Sequence, residues 1–165
     1  MSGFIGGDDF RSLMRHIPSP VMVLTYESES GPRGVTIGSF ASVSLDPPLI
    51  SFNLMRSGSS SEDIQAVSSF AIHVLRNDQS RLSEHFAQPD LSSGVQFKDI
   101  DYIYSSEGVP VMDDCLAFMI CELFDIVTAG DHSLVLGKVL RADVVTPSKP
   151  LLYFQRSYHE VGDSM

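Results

Sequence analysis

Hydrophobic and polar positions alternate most regularly over residues 34–61, in the run G-V-T-I-G-S-F-A-S-V-S-L-D-P-P-L-I-S-F-N-L-M-R-S-G-S-S-S. A period of two predicts strands. On the first, Val35, Ile37 and Ser39 share one face while Thr36, Gly38 and Phe40 share the other. Pro47 and Pro48 end this strand, because neither can donate to a ladder and each restricts the residue before it. On the strand after the corner, Ile50, Phe52 and Leu54 point one way and Ser51, Asn53 and Met55 the other. It delivers Arg56-Ser57-Gly58-Ser59-Ser60-Ser61 to the start of a short helix, where Ser59 and Glu62 have capping-box spacing.

The rest of the chain follows the same logic. Asp8 is placed to cap a first helix whose Phe10, Leu13, Met14 and Ile17 recur at helical spacing, predicting a lid or end plug on the sheet. Pro18 and Pro20 stop it and lead into a strand over residues 21–26, and the polar residues 27–33 predict a hairpin loop, so two strands precede the Pro-Pro corner. Phe70, Ile72 and Val74 alternate with Ala71, His73 and Leu75, as in a strand buried on both sides. Asp78 can cap a helix over residues 79–87, with Leu82 and Phe86 facing inward. Residues 88–108 mix Pro, Ser, Gly and isolated apolar positions such as Val95, Phe97 and Ile100, predicting a surface excursion. The apolar run over residues 115–127 fits a central strand, although its length also fits a buried helix. A turn at Ala129-Gly130-Asp131 leads to a strand over 132–145, where mid-strand Gly137 predicts a bend or close approach. A last short strand covers 151–154. Helices inserted among antiparallel strands favour a mainly β fold, a small barrel, over a doubly wound sheet.

Composition narrows the function classes. With 165 residues and 43% hydrophobic content, a single domain over 1–165 with a sizeable core is expected. Eleven basic against 21 acidic residues leave a net charge of -10, which disfavours nucleic acid and anionic membranes. The first residues lack a basic start and apolar run, and no window approaches the roughly 18 apolar residues of a spanning helix. A soluble, cytoplasmic protein is expected. Cys115 and Cys121, if both on one extended strand, would lie about 20 Å apart, beyond disulfide reach, so both are expected as buried thiols. Four-ligand zinc spacing is absent, and His16, His73, His85 and His159 are scattered, so no metal is expected.

The candidate chemistry lies in the serine-rich loop. Free N–H groups at a helix start, hydroxyls and the Arg56 guanidinium suit a phosphate, while an ordinary capped helix would account for the same residues. The chain lacks a nucleophile elbow, a HExxH motif, a Walker loop and a G-x-G-x-x-G turn. That absence points away from covalent, metal-assisted and Rossmann-type chemistry.

The run T-I-G-S-F-A-S-V-S-L-D-P-P-L resembles the signature of the flavin reductase-like family, small split-barrel proteins that supply reduced flavin to partner monooxygenases. The resemblance continues in order through S-S-S-E-D-I, F-A-I-H-V-L, Q-S-R-L-S-E-H-F-A, G-D-H-S-L-V-L-G-K-V and K-P-L-L-Y-F, from about residue 10 to 158. It implies a split antiparallel β-barrel of Greek-key type with a few peripheral helices. It also implies an NAD(P)H-dependent flavin reductase that carries hydride from NADH or NADPH to FMN or FAD and serves a partner monooxygenase through diffusing reduced flavin. Two alternatives stay open: a flavoprotein that keeps FMN and reduces another acceptor, and a non-catalytic flavin carrier or sensor.

Carried over by resemblance, Thr36, Gly38, Ser39 and Phe40 line the ring edge and ribityl chain, and Ser42 and Val43 offer backbone hydrogen bonds. Asn53 and Leu54 flank the ring, while Arg56, Ser57, Ser59 and Ser60 hold the phosphate. His85 and Phe86 lie near the phosphate end, or an adenine. Gly38 stands where many relatives carry Asn or Ser, leaving backbone alone at that point. His132, in the G-D-H turn, is the catalytic candidate beside the nicotinamide, with Tyr158 capping the same pocket. The resemblance further implies a homodimer whose subunits share the flavin site.

Overall fold

The computed structural model describes residues 3–88 and 91–164. In chain order the elements are α1 (Gly7–Met14), β1 (Ser19–Pro20), β2 (Met22–Ser28), β3 (Gly31–Ile37), β4 (Ala41–Leu45), β5 (Pro48–Met55), α2 (Ser59–Asp63) and β6 (Ser69–Val74). They continue with α3 (Ser80–Phe86), α4 (Ser93–Gln96), β7 (Ile103–Tyr104), β8 (Pro110–Val111), β9 (Ala117–Ala129), β10 (His132–Val144), β11 (Leu151–Phe154) and β12 (Ser157–Glu160). Seven strands form one antiparallel sheet in the order β3-β2-β6-β9-β10-β5-β4, and β1, β11 and β12 form a second, three-stranded sheet.

The seven-stranded sheet is curled. In a flat sheet β3 and β5, five places apart, would be separated by roughly 24 Å. Instead Ile37 of β3 and Ile50, Phe52 and Leu54 of β5 belong to one core with Met22, Leu24, Tyr26, Phe70, Ile72 and Val135. Phe52 and Phe70 meet edge to face at 5.4 Å in its middle. The chain enforces the curl, because the two outermost strands, β3 and β4, are joined directly by residues 38–40. The fold is therefore a mainly β split barrel, open along the seam between β3 and the β4–β5 hairpin.

That link corrects the sequence reading of the first strand. Regular structure stops at Ile37 and resumes at Ala41, so four strands, counting the two-residue β1, precede the Pro-Pro corner, and Ser39 and Phe40 lie in the crossing. Pro47 and Pro48 do mark a tight corner, with a cis Asp46-Pro47 bond and Leu45 opposite Pro48. The expected loop over 27–33 is instead a two-residue turn at Glu29-Ser30, with Gly31 at φ 104° starting β3.

Two strands are buried on both faces. Met22 to Tyr26 are all inaccessible, and Phe70, Ala71 and Ile72 on β6 likewise. The outer layer over them is a second core of Val21, Val23, Leu75, Phe86, Phe97, Met112 and Leu151, with Leu82, Ile100, Tyr102 and Tyr158 against it. Of the surface excursion expected over 88–108, residues 89 and 90 lie outside the described residues, and 91–108 are no mere excursion. Phe97 and Ile100 reach this layer, and Phe86, Phe97, Tyr102 and Tyr104 form a run of edge and tilted ring contacts at 5.2 to 5.6 Å. Asp78 pairs with Arg76 rather than capping α3, whose N-cap is Gln79.

The run 115–127 is strand β9, not helix, and Cys115 lies just before it. Both thiols are buried, and burial pushes them up to about 11 and about 12. They are inert at neutral pH. Gly137 fits the expected close approach, since a Cβ there would stand 2.5 Å from Phe70 Cζ. The register shifts at this point and again between Val139 and Arg141, coiling the long β9–β10 hairpin around the core. A strand unforeseen in the sequence, β12, follows β11 through a turn in which Gln155 and Arg156 both have positive φ. Neither is the Asn or Gly that usually announces such a turn.

The first helix departs most from expectation. Its cap is Gly6 rather than Asp8, which pairs with Arg11 at 2.8 Å. None of its residues is buried: Phe10, Leu13, Met14 and the following Ile17 lie exposed on this chain. Among the described residues no helix is long and apolar enough to cross a membrane.

One buried titratable group joins the layers. His73 is fully inaccessible, donates from Nδ1 to the Val23 carbonyl at 3.1 Å, and accepts the Met112 N–H at Nε2, also at 3.1 Å. Burial lowers its pKa to about 4, the Val23 bond offsetting part of the effect. The unfolded chain takes up this proton at about pH 6.5, so the contribution to stability is complete above that pH and is lost as pH falls toward 4. Between pH 7 and pH 5, urea unfolding should show the wild type losing roughly 2 kcal/mol more than His73→Gln. Equal losses would contradict this assignment.

Candidate functional site

The seam is where the sequence leaves backbone and hydroxyl groups without a strand partner. Ser39, in the crossing, spans it: its Oγ accepts the Asn53 N–H at 2.8 Å. On the other flank, the outward edge of β3 is covered by a side chain. The Gln96 amide accepts the Gly34 N–H at 2.9 Å and donates to the Gly34 carbonyl at 2.7 Å, completing a ladder that no strand completes. Gly34 has to be glycine because a Cβ there would fall 2.5 Å from the Phe86 ring. Ser93 on α4 donates to the Ser30 carbonyl, fixing the same edge at its start.

Between these two supports opens a cleft of about 590 Å³. Its walls are apolar at Val35, Met55 and Phe86, and its end is formed by Ser57, Gly58, Ser59 and Ser60, with Arg33, Gln88 and Gln96 alongside. A volume of a few hundred cubic ångströms with apolar walls and a few convergent polar groups is the usual form of a small-molecule site. A second cleft of about 220 Å³ adjoins it across Ala87, lined by Ser19, Thr36, Gly38, Ser83, Tyr153 and Tyr158. There Thr36 Oγ1 donates to the Ser83 carbonyl at 2.7 Å and the Tyr158 hydroxyl donates to Ser83 Oγ at 3.0 Å. A Cβ at Gly38 would come within 3.2 Å of Ser19 Oγ, so glycine keeps this second cleft open.

The serine loop is built differently from its sequence spacing. Ser59 begins α2 rather than capping it; the N-cap is Gly58, and no side-chain cap bond forms. Helix α2 is five residues long, and its Ser61 Oγ lies 3.1 Å from Ser133 Oγ in a buried contact that fastens it to β10. Tyr26 reaches up from the core to donate its hydroxyl to Asp63 at 3.0 Å, and burial pushes that hydroxyl up to about 12.

The opposite rim carries the turn before β10. His132 pairs with Met55 across the β5–β10 ladder, and its Nδ1 stands 2.7 Å from Asp131 Oδ1. This bond fixes the ring and holds the Asp131 carboxyl below its ordinary range. The Arg56 N–H donates to the Asp131 carbonyl at 3.0 Å, and its guanidinium turns to the Gly130 carbonyl at 3.4 Å. Arg56 therefore belongs to the His132 turn and does not line the serine cleft, contrary to its expected place beside Ser57, Ser59 and Ser60.

The structure thus gathers the expected residues into groups. Ser57, Ser59, Ser60 and Phe86 share the large cleft, Thr36, Gly38 and Tyr158 the small one, Ser39 and Asn53 the seam, and Arg56 and His132 the facing rim. Others stand apart. Leu54 is in the core, so only its main chain is available to a ligand, and Phe40 packs against that core from the crossing. Ser42 and Val43 lie exposed on the edge strand β4, where a bulge leaves Val43 without a partner. His85 donates from Nε2 to the Gln96 carbonyl at 2.7 Å and braces α3 against α4 behind the cleft wall. Arg33, Ser83, Gln88 and Gln96 were not foreseen. Arg33 alone left a trace, as a charge in phase with Val35 and Ile37 just before the alternating run.

A flavin suits these surfaces: hydroxyls and a guanidinium at one end for a phosphate, apolar walls for a ring, and the Gly38 backbone for a polar ring edge. Known proteins with the same sequence pattern carry flavin-related names. Residues 14–162 match the family model described as the flavin reductase like domain. The chain is 35% identical over 164 residues to an NADH:FMN oxidoreductase of Rhodococcus qingshengii, covering 96% of this chain and 84% of that protein. It is 40% identical over 140 residues to the FMN reductase (NADH) SmoA of Agrobacterium fabrum, covering 83% and 78%. Among solved structures, BorF, the flavin reductase component of a bacterial two-component tryptophan halogenase, superposes with a TM-score of 0.87 at 28% identity, covering 96% of this chain and all of that one. With its split barrel, its seam cleft and a match over nearly its whole length, the chain belongs to the flavin reductase-like domain family.

Proposed function

We propose that this protein is an NAD(P)H-dependent flavin reductase, a single domain over residues 1–165 that takes hydride from NADH or NADPH to FMN or FAD in the cytoplasm. The reduced flavin leaves by diffusion to serve a partner monooxygenase. The observation that carries this reading is the cleft along the β3 seam, with apolar walls at Val35, Met55 and Phe86 and a hydroxyl-lined end at Ser57, Ser59 and Ser60. The names of the relatives, an NADH:FMN oxidoreductase and the reductase component of a two-component system, support it.

A flavin held in the cleft would supply the ring that takes up hydride, and a nicotinamide placed beside it would supply the hydride. The chain's task is positioning. Thr36, Gly38, Ser39, Phe40 and Asn53 set the depth of the ring along the seam, with the Leu54 main chain behind it, and Ser42 and Val43 offer backbone from β4. The serines fix the opposite end, and His85 and Phe86 hold α3 as its wall. His132 faces the nicotinamide from the rim: with Nδ1 committed to Asp131, its Nε2 is the atom left to hydrogen-bond a carboxamide or ring edge. Tyr158 bounds the smaller cleft on the nicotinamide side. No covalent step is assigned to Cys115 or Cys121, whose thiols are buried and protonated.

The exposed apolar stripe of α1, with Phe10, Leu13 and Ile17, and the exposed Phe124 and Val127 on β9 are surfaces for a second copy. In a homodimer they would be covered and the open seam narrowed. Light scattering at micromolar concentration should return twice the chain mass, and Leu13→Glu should lower it; a monomeric wild type would rule the dimer out.

Mixing the protein with NADH and free FMN tests the activity. Loss of nicotinamide absorbance should rise with added flavin, whereas a yellow protein indifferent to added FMN would point to a tightly held flavin serving another acceptor. In that assay His132→Ala should slow turnover by about tenfold, the scale of one hydrogen bond to the reacting partner, with FMN affinity nearly unchanged. Parallel loss of both would place His132 outside the nicotinamide pocket.

A further inference from the structure

We infer that Arg33, and not Arg56, is the cation that selects phosphorylated flavins, an inference that rests on the flavin-binding reading above and assigns the charge within that site. Two guanidiniums flank the serine loop, and they face different ways. Arg56 sits on the rim, its side chain donating to the Gly130 carbonyl and its main chain to that of Asp131. Arg33 lines the cleft itself, with Gly34 and Val35 on one side and Ser57, Ser59 and Ser60 on the other.

The posture of Arg33 is held from behind. Its Nη1 donates to the Leu91 carbonyl, which ties the side chain to the segment before α4, and its Nη2 reaches Ser59 Oγ at 3.4 Å. Among the described residues no carboxylate lies within ion-pair distance of it. Asp63, on the neighbouring α2, already accepts the Tyr26 hydroxyl. Its acceptors among the described residues are two neutral oxygens, so toward these the guanidinium keeps its charge and N–H donors for an incoming oxyanion. With a net charge of -10 on the chain, long-range attraction for a phosphate is unfavourable, and a local cation has to supply the selection. The hydroxyls of Ser57, Ser59 and Ser60 complete the coordination. The group recognised is the phosphate on the ribityl chain, common to FMN and to FAD.

Binding measured by quenching of flavin fluorescence separates this role from a structural one. Arg33→Ala should weaken FMN by about 10- to 100-fold, the range of one charge-assisted hydrogen-bonding group, and riboflavin by less than about twofold. Arg33→Lys should recover part of the FMN affinity, as a point charge without the fork. Arg56→Ala should leave the ratio of FMN to riboflavin affinity within about twofold of the wild type. FAD, titrated alongside, should follow FMN.

Equal weakening of FMN and riboflavin in Arg33→Ala would overturn the inference, since it would mean that the side chain only props the Leu91 segment. A phosphate-selective loss in Arg56→Ala with none in Arg33→Ala would overturn it equally, returning the charge to the rim. If wild-type protein bound riboflavin as tightly as FMN, no phosphate anchor would exist, while the reductase reading would stand. If it bound no flavin, both would fall.

Discussion

The molecule depends on a covalent constraint between strands that never pair. Strands β3 and β4 close the two ends of the seven-strand order, yet residues 38–40 are all the chain between them. A sheet whose outer strands are tethered so closely has to curl, and the curl brings Ile37 against Ile50 and Phe52 in one core. The same tether stops short of closing the barrel. The Ser39 hydroxyl bonds the Asn53 N–H and, at longer range, its carbonyl, and the seam beyond stays open to the cleft beside it.

An open β edge is a liability unless something satisfies it. Here Gln96 occupies the edge of β3 with a side-chain amide in place of a strand, and Phe86 lies on the bare backbone of Gly34. These devices keep the edge from pairing with another chain while leaving the cleft open beside it. They also explain why α3 and the 91–112 segment, which hydrogen-bond to the edge of β3, carry so much of the second core. The layers are locked together by neutral His73, which offers its two nitrogens to β2 and to Met112 with nothing left for solvent. A site of this kind works through rigid placement of two planar ligands, consistent with the absence of an activated nucleophile.

Much of this was legible in the sequence where a pattern was both regular and local. Alternation over 34–55 gave the strands, and Pro47-Pro48 gave the corner. Gly137 announced a close approach, and the paired burial of β6 could be read from Phe70 to Val74. What stayed hidden depended on contacts between distant residues. The break at Gly38 has no local marker, since hydroxyl and apolar positions keep alternating through it. The capping box at Ser59 and Glu62 was out-competed by Gly58, whose extended backbone already starts α2. Gln96 and Phe97 sit in a polar, low-periodicity stretch and become buried only because β3 needs an edge partner. The type of turn at Gln155-Arg156 was invisible because neither residue favours positive φ. The α1 stripe was read correctly as an apolar face but wrongly as a buried one, because the chain by itself offers nothing to cover it.

The central claim is that a flavin lies along the β3 seam, its ring between the 38–40 crossing and Asn53 and its phosphate at Arg33 and the serines. A crystal of this protein soaked with FMN tests it most directly. The account predicts density in that groove with the ring edge on the Gly38 backbone and the phosphate within hydrogen-bond distance of Ser57, Ser59 or Ser60. Flavin density elsewhere on the protein, with this cleft left to solvent, would contradict it.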